Sequence, residues 1–436
     1  MGLTPPPEYC ANTRETMAGF SFIHAADLHL GSPMEALSKY EGCPEDRIRG
    51  AVQKALERMV DLAIREEVAF VLLAGDIFDR KPKDIQPGLH FNNQIRRLKE
   101  KGIRTFAIAG NHDAESSTWR NVPRAEVEYL PDDKPGTVQL EANGIPVAIH
   151  GHSYSKPVVR ANLAAKYPAA EMAHFNIGLL HTSLDNPESA HKTYAPCSLQ
   201  DLIQMDYDYW ALGHIHKPEV LNEFPHILYP GNLQGRSVRE LGPRGCYLVK
   251  VDPNKKVTSC SMQRLDQACW LEREIDVSDI PSLPNIEESI AEAFQSAQEE
   301  AGESLAIVRL LLKGQTPLSP ALHRDAEDLR TDWLDLANEQ GVWLEKVKVL
   351  TTTPQAPTSK AAPNLPSELL QDLQTATPPT EDEFLGLDPI SKLLSRIPRD
   401  IKASVKSELL GNLQETTSAA QTTLESHLFH QGEDQP

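Results

Sequence analysis

From residue 20 to about 265 the chain alternates between short apolar runs and stretches with helical spacing. Residues 20–26 (FSFIHAA), 69–74 (AFVLLA), 105–109 (TFAIA), 147–150, 176–180 and 209–212 are mostly continuous in apolar side chains, which predicts strands buried on both faces. Residues 46–67 and 89–101 carry helical periodicity between them. In the first, Ile48, Val52, Leu56, Met59, Val60 and Ala63 line one face. Strands alternating with amphipathic helices predict a layered α/β fold for 20–265.

Beyond that the pattern changes. A strand over 270–277, a helix over 285–300, a strand over 304–313 (SLAIVRLLLK), a helix over 322–340 and a strand over 342–351 predict a smaller α+β domain spanning 268–350. A Thr/Pro/Ala-rich linker, 351–366, leads into a tail, 367–436, with candidate helices at 367–373, 389–396 and 400–416. Their apolar stripes are thin, so they are expected to fold against a partner surface.

A chain of 436 residues with 40% hydrophobic content supports more than one core. No apolar run approaches the roughly 20 residues of a membrane span. Residues 1–19 lack the basic end and apolar run of a signal peptide and are read as a disordered extension, with Met17 an alternative start. Six scattered cysteines with no CxxC pair predict reduced thiols in the cytoplasm rather than a disulfide framework or a zinc-cysteine site. The net charge of −19 is unevenly placed: residues 1–250 carry −4 and residues 251–436 carry −15. The acidic balance therefore counts against DNA binding without excluding it, since bound cations would offset several aspartates of the first half.

Five polar signatures follow apolar runs in that half: Asp27-Leu28-His29, Gly75-Asp76-Ile77-Phe78-Asp79, Gly110-Asn111-His112-Asp113, His181, and Gly213-His214-Ile215-His216. Open α/β sheets present the carboxyl ends of their strands as a crevice, so all five are expected on one rim. Asp27, His29, Asp76, Asn111, His181, His214 and His216 supply carboxylate, amide and imidazole ligands without thiolate, a set favouring Mn²⁺, with Fe or Zn as alternatives, over Ca²⁺. Seven ligands suit two divalent cations, with Asp76 the natural bridge. Such a pair, about 3.5–4 Å apart, promotes in-line attack of water on phosphorus. His112 stands beside a ligand without needing to be one, as suits a general acid protonating the leaving oxygen. Asp79 is read either as a group behind the ligands, orienting a histidine, or as a helix cap. Asp113 is expected to cap the turn that follows. His150 and His152, flanking Gly151 after a strand, are further candidates to approach substrate.

These motifs resemble the calcineurin-like metallophosphoesterase superfamily. More narrowly, FIHAADLHLGSP, VLLAGDIFDRKP, AIAGNHD and YWALGHIHKP resemble the bacterial SbcD/YhaO-type DNA repair nucleases, and YAPC at 194–197 and PGNLQGRSVRELGPRG at 230–245 are similar to the YhaO branch. The resemblance implies a sandwich of two β-sheets flanked by helices, with 268–350 as a capping domain. It assigns Asp27, His29, Asp76 and His216 to one Mn²⁺, Asp76, Asn111, His181 and His214 to the other, and the acid role to His112. Some relatives carry histidine where this chain has Asp79, so a second catalytic histidine does not carry over. It further implies an exo- and endonuclease acting on DNA, usually dimeric, working with a coiled-coil ATPase of the SbcC or YhaN kind that docks on helices after the cap. Arg236, Arg239 and Arg244, in the 230–245 run, are candidate phosphate-backbone contacts or surface arginines around a glycine-rich turn. Two other functions compete: a hydrolase of small phosphodiesters or phosphomonoesters, and a DNA-end-binding scaffold for a partner ATPase.

Overall fold

The computed structural model describes residues 18–32, 44–48, 50–80, 85–116, 126–184, 194–354 and 379–396, with isolated positions between 405 and 420. They fall into two units divided after Leu271, with Ala301–Ile307 belonging to the first. Most of the predicted extension and of the linker, the predicted helix at 367–373 and most of 400–416 lie outside the described residues.

The first unit holds two six-stranded sheets. The strands of one are β1 (Phe20–Ala25), β2 (Phe70–Ala74), β3 (Arg104–Ile108), β4 (Glu128–Tyr129), β11 (Gly245–Val251) and β12 (Val257–Arg264), in the order β12-β11-β1-β2-β3-β4. The other contains β5 (Gly136–Ala142), β6 (Ile145–Gly151), β7 (Phe175–His181), β8 (Tyr209–Gly213), β9 (Glu219–Glu223) and β10 (His226–Tyr229), in the order β5-β6-β7-β8-β10-β9. β1 through β4 are parallel, as are β6, β7, β8 and β10, so their carboxyl ends share one rim in each sheet.

Strand alternation sorts the side chains into layers. Phe20, Phe22, Phe70, Leu72, Phe106, Ile108, Phe175, Ile177, Tyr209 and Ala211 face the space between the sheets. Ile23, Ala25, Val71, Leu73 and Ala107 point the other way, onto helices α2 (Ala51–Arg65) and α3 (Gln86–Glu100). Phe22 lies stacked on Phe70 at 5.1 Å and edge-on to Tyr209 at 5.1 Å. Full burial of such a ring contributes about 1.5–3 kcal/mol. Both faces are apolar, which is why these strands read as continuous apolar runs.

In this unit one predicted helix is divided and further strands join those predicted. The single helix over 46–67 is two, α1 (Glu45–Ile48) and α2, because Gly50 between them adopts a left-handed φ of 77°. The six predicted strands are accompanied by β4, β5, β9, β10, β11 and β12. Edge strands β5 and β12 alternate half-exposed with exposed positions and so carry no apolar run to read.

β13 (Ala268–Asp276), β14 (Leu305–Gln315) and β15 (Trp343–Thr352) form a three-stranded sheet in that order, most of whose residues belong to the second unit. The predicted helix over 322–340 breaks at Asp325 into Ser319–Arg324 and Ala326–Glu339. Arg309 and Glu345 pair across β14 and β15 through two hydrogen bonds of 2.7 and 2.8 Å. A further short helix spans Asp388–Arg396. No helix among the described residues is long and apolar enough to cross a membrane.

Candidate metal centre

The loops leaving β1 and β2 run side by side. Asp27 N–H donates to Gly75 O at 3.0 Å, His29 N–H to Asp76 O at 3.0 Å, Leu30 N–H to Ile77 O at 2.9 Å and Asp79 N–H to Leu30 O at 3.1 Å. This short ladder sets Asp27, His29, Asp76 and Asp79 against one another. Its geometry demands unusual backbone: Asp27, His29, Asp76 and His214 have φ of 52°, 46°, 52° and 104°. Left-handed conformations at ordinary residues cost on the order of 1–3 kcal/mol each and persist where surrounding structure enforces them. Gly213, closing β8, has no room for a side chain. A Cβ there would lie 1.9 Å from Ala74 O at the end of β2.

The side chains converge in overlapping groups whose ligand atoms lie within 4.8 Å of one another: Asp27, His29 and His216; His29, Asp76 and His112; and Asp76, His181 and His214. Asn111 joins the last, with its Oδ1 3.1 Å from His181 Nε2. Asp76 Oδ2 is 3.9 Å from His29 Nε2 and 3.5 Å from His181 Nε2, so it stands between the groups. The structure therefore gathers all seven residues that the strand-end pattern singled out.

His112 is the second residue of the short helix α4 (Asn111–Glu115). Its backbone N–H donates to Asp76 Oδ1 at 2.8 Å and its Nδ1 pairs with Asp79 Oδ1 at 2.9 Å, leaving Nε2 4.0 Å from Asp76 Oδ2. Asp79 thus orients His112, and it also accepts from Arg80 N–H at 2.8 Å. Asp113 does more than cap. Its buried carboxylate accepts from Gly110 N–H at 2.9 Å, Phe78 N–H at 2.8 Å and Ile77 N–H at 3.2 Å, tying the β3 loop to the β2 loop.

The 230–245 segment is the part of the site that strand-end reasoning missed. Glu240 Oε1 takes the His216 Nδ1–H at 2.7 Å. Arg236 Nη2 donates to the same oxygen at 2.9 Å and lies 3.2 Å from His216 Nδ1, so Arg236 stands at the centre. Arg239 is exposed. Arg244 is buried and donates to the carbonyls of His216 and Leu241, a structural clamp rather than a surface contact for phosphate. His150 and His152 are also spoken for. His150 lies within β6, 2.8 Å from Thr137 Oγ1 and stacked on Tyr207, and His152 Nε2 faces Asp132 O at 3.4 Å.

A family model described as calcineurin-like phosphoesterase matches residues 20–218, and one described as metallophosphoesterase YhaO, middle domain, matches residues 270–352. The metallophosphoesterase YhaO of Bacillus subtilis is 36% identical over 304 residues, covering 69% of this chain and 73% of that protein. This chain belongs to the YhaO-type metallophosphoesterases. More distantly it is similar to the DNA double-strand break repair protein Mre11 of Methanopyrus kandleri, 26% identical over 52% of this chain and 53% of the relative. The Mre11 protein of Aeropyrum pernix is 23% identical over 69% of this chain and 74% of the relative. As a YhaO-type metallophosphoesterase the chain is a metal-dependent hydrolase with a calcineurin-like fold of two large sheets flanked by helices.

The divalent cations such a hydrolase uses fit these residues. Asp27 Oδ1 is buried without a hydrogen-bond partner among the described residues, and His29 and His216 face each other through their Nε2 atoms at 3.0 Å. His181 donates Nδ1–H to Ala74 O at 2.9 Å, which directs its Nε2 at Asp76 and Asn111. Carboxylate oxygens and imidazole nitrogens converging this closely are what a cation satisfies. The electrostatics agree. Burial opposes charge on Asp76, yet His181, His29 and His112 hold its carboxyl well below the usual range. Burial lowers His181, but Asp76 more than reverses this and raises it to about 9, so a proton occupies a position a cation would take. Burial raises Asp27. Burial, with His181 beside it, lowers His214 to about 3. Burial and the neighbouring Asp76 push Asp113 up to about 7.

Proposed function

We propose that the chain is a Mn²⁺-dependent DNA phosphodiesterase of DNA repair, cutting as exo- and endonuclease. The observation that carries the hydrolytic chemistry is the placement of His112, with Nδ1 fixed by Asp79 and Nε2 free beside the convergent ligands. DNA as substrate is supported by the similarity to proteins named for double-strand break repair. Asp27, His29, Asp76 and His216 would hold one cation and Asp76, Asn111, His181 and His214 the second. When bound, the pair supplies charge to polarise the phosphoryl oxygens and lowers the pKa of the attacking water. The protein does the rest. Asp79 accepts the His112 Nδ1–H and fixes the ring, so in the imidazolium form its Nε2–H is the proton passed to the departing sugar oxygen, leaving the neutral ring behind. Arg236 adds positive charge on the His216 side, where a phosphate group would be drawn in.

The proposed partners are DNA, a second copy of the chain, and a coiled-coil ATPase that docks on tail helices such as Asp388–Arg396. The cytoplasm is the proposed location.

Purified protein with Mn²⁺ should degrade linear DNA, and a salt-dependent association with DNA should accompany it. Turnover of bis-(p-nitrophenyl) phosphate with no DNA cleavage under the same conditions would overturn the nuclease reading in favour of a small-ester hydrolase, which the acidic balance of the chain favours. DNA binding without hydrolysis or bound metal would point to a scaffold.

A further inference from the structure

We infer that Glu240 is a positioning residue for the cation ligand His216, and that the 230–245 segment as a whole is built to hold that histidine. The inference rests on the two-cation reading of the centre and is independent of DNA as the substrate.

His216 follows β8 on an exit loop and is the last ligand in the chain. The 230–245 segment fixes both its ring and its backbone. On the ring, Glu240 Oε1 accepts Nδ1–H at 2.7 Å, which commits the proton to Nδ1 and leaves Nε2 as a lone pair. That Nε2 faces His29 Nε2 at 3.0 Å and lies 3.9 Å from Asp27 Oδ1. On the backbone, Asn232 N–H donates to His216 O at 3.2 Å and the Arg244 guanidinium donates to the same carbonyl. Gly231, at φ +73°, passes so close that a Cβ there would lie 2.6 Å from His216 O.

Glu240 is itself pinned. Its Oε2 accepts from Arg236 N–H at 2.7 Å and Asn232 Nδ2–H at 2.9 Å, and its Oε1 also accepts from Arg236 Nη2 at 2.9 Å. Every one of these partners is a donor, so the carboxylate is ionised and cannot rotate away from His216 without losing them. A metal-binding imidazole that donates its other N–H to a carboxylate is fixed in tautomer and orientation and is a stronger donor to the metal. His181 and His216 differ here: His181 uses the neutral carbonyl of Ala74, His216 a charged carboxylate.

The test uses the full chain as wild type, Glu240→Ala and Glu240→Gln. Mn²⁺ binding is followed by calorimetry, and imidazole ¹⁵N resonances are recorded in the Zn²⁺-loaded proteins. Wild type should bind two cations. Glu240→Ala should weaken one of the two sites by about ten- to a hundredfold and leave the other unchanged. Glu240→Gln should fall between, because its amide oxygen still accepts from His216 while its NH₂ cannot accept from Arg236. The Nδ1–H signal of His216 should be retained in Glu240→Gln and lost in Glu240→Ala. Two cations bound by Glu240→Ala with wild-type affinity would overturn the inference. So would parallel weakening of both sites with a lower melting temperature, which would make Glu240 a loop brace. Should Glu240→Ala fail to fold, wild-type affinity at both sites in Glu240→Gln would overturn it equally. A wild-type protein that binds fewer than two cations would instead remove the two-cation reading itself.

Discussion

His24 sits fully buried between the sheets, three residues before the first ligand. Its Nε2–H donates to Leu212 O at 3.0 Å and its Nδ1 accepts from the Tyr209 hydroxyl at 3.0 Å, so the ring is neutral. Burial lowers its pKa from 6.5 to about 3. The unfolded chain therefore takes up this proton at higher pH than the folded one. Stability from the neutral ring is complete above about pH 6.5 and is lost as pH falls, at about 1.4 kcal/mol per unit. Thermal unfolding at pH 7 and pH 5 should show wild type losing about 2 kcal/mol more than His24→Gln over that interval. Equal losses would place the acid sensitivity elsewhere. A second residue-scale prediction concerns Asp79. Asp79→Asn keeps the size but removes the charge that holds His112 Nδ1–H, so hydrolysis should slow by about ten- to a hundredfold while Mn²⁺ content stays the same. Unchanged rates would make Asp79 a turn residue only. At this scale the ligands were legible in the sequence because each follows an apolar run directly, as a crevice ligand must. Glu240 was not, since its partner His216 is 24 residues away and no periodicity marks its loop.

Between elements, the critical feature is how closely the two sheets approach at the rim. Gly213 abuts Ala74 O, where β8 of one sheet meets β2 of the other. Gly213→Ala forces these strand ends apart and displaces His214 and Ala74 together. It should cost about 1–3 kcal/mol in stability, with weakened cation binding as the companion readout. A variant with wild-type melting and wild-type Mn²⁺ affinity would contradict this geometry. Central parallel strands were visible because both their faces are apolar. The antiparallel edges β5 and β12 were not, because one face of each meets solvent and the apolar content halves. Helix breaks at Gly50 and Asp325 escaped for another reason: apolar spacing continues across both while the backbone does not.

Across the whole molecule, the −19 charge sits mostly behind residue 250, away from the signature-bearing half. Within that half, buried Asp27 and Asp76 lie together, so cations should stabilise the fold as well as serve the chemistry. Chelation should lower the melting temperature, and restoring Mn²⁺ to a hundredfold excess over Kd should return about 2.7 kcal/mol per site. A melting curve indifferent to chelator would argue against resident cations. The layered fold was legible at this scale because alternation of strand and helix repeats along the chain. Partner surfaces follow no such repeat, and the tail helices gave only thin apolar stripes.

The most direct test compares cleavage of linear DNA by wild type and His112→Ala at saturating Mn²⁺, with bound metal measured on both. The centre described here predicts that wild type cuts, that both proteins bind two cations, and that the variant is slower by about 10²–10⁴-fold. Undiminished cleavage by His112→Ala would contradict the assigned mechanism.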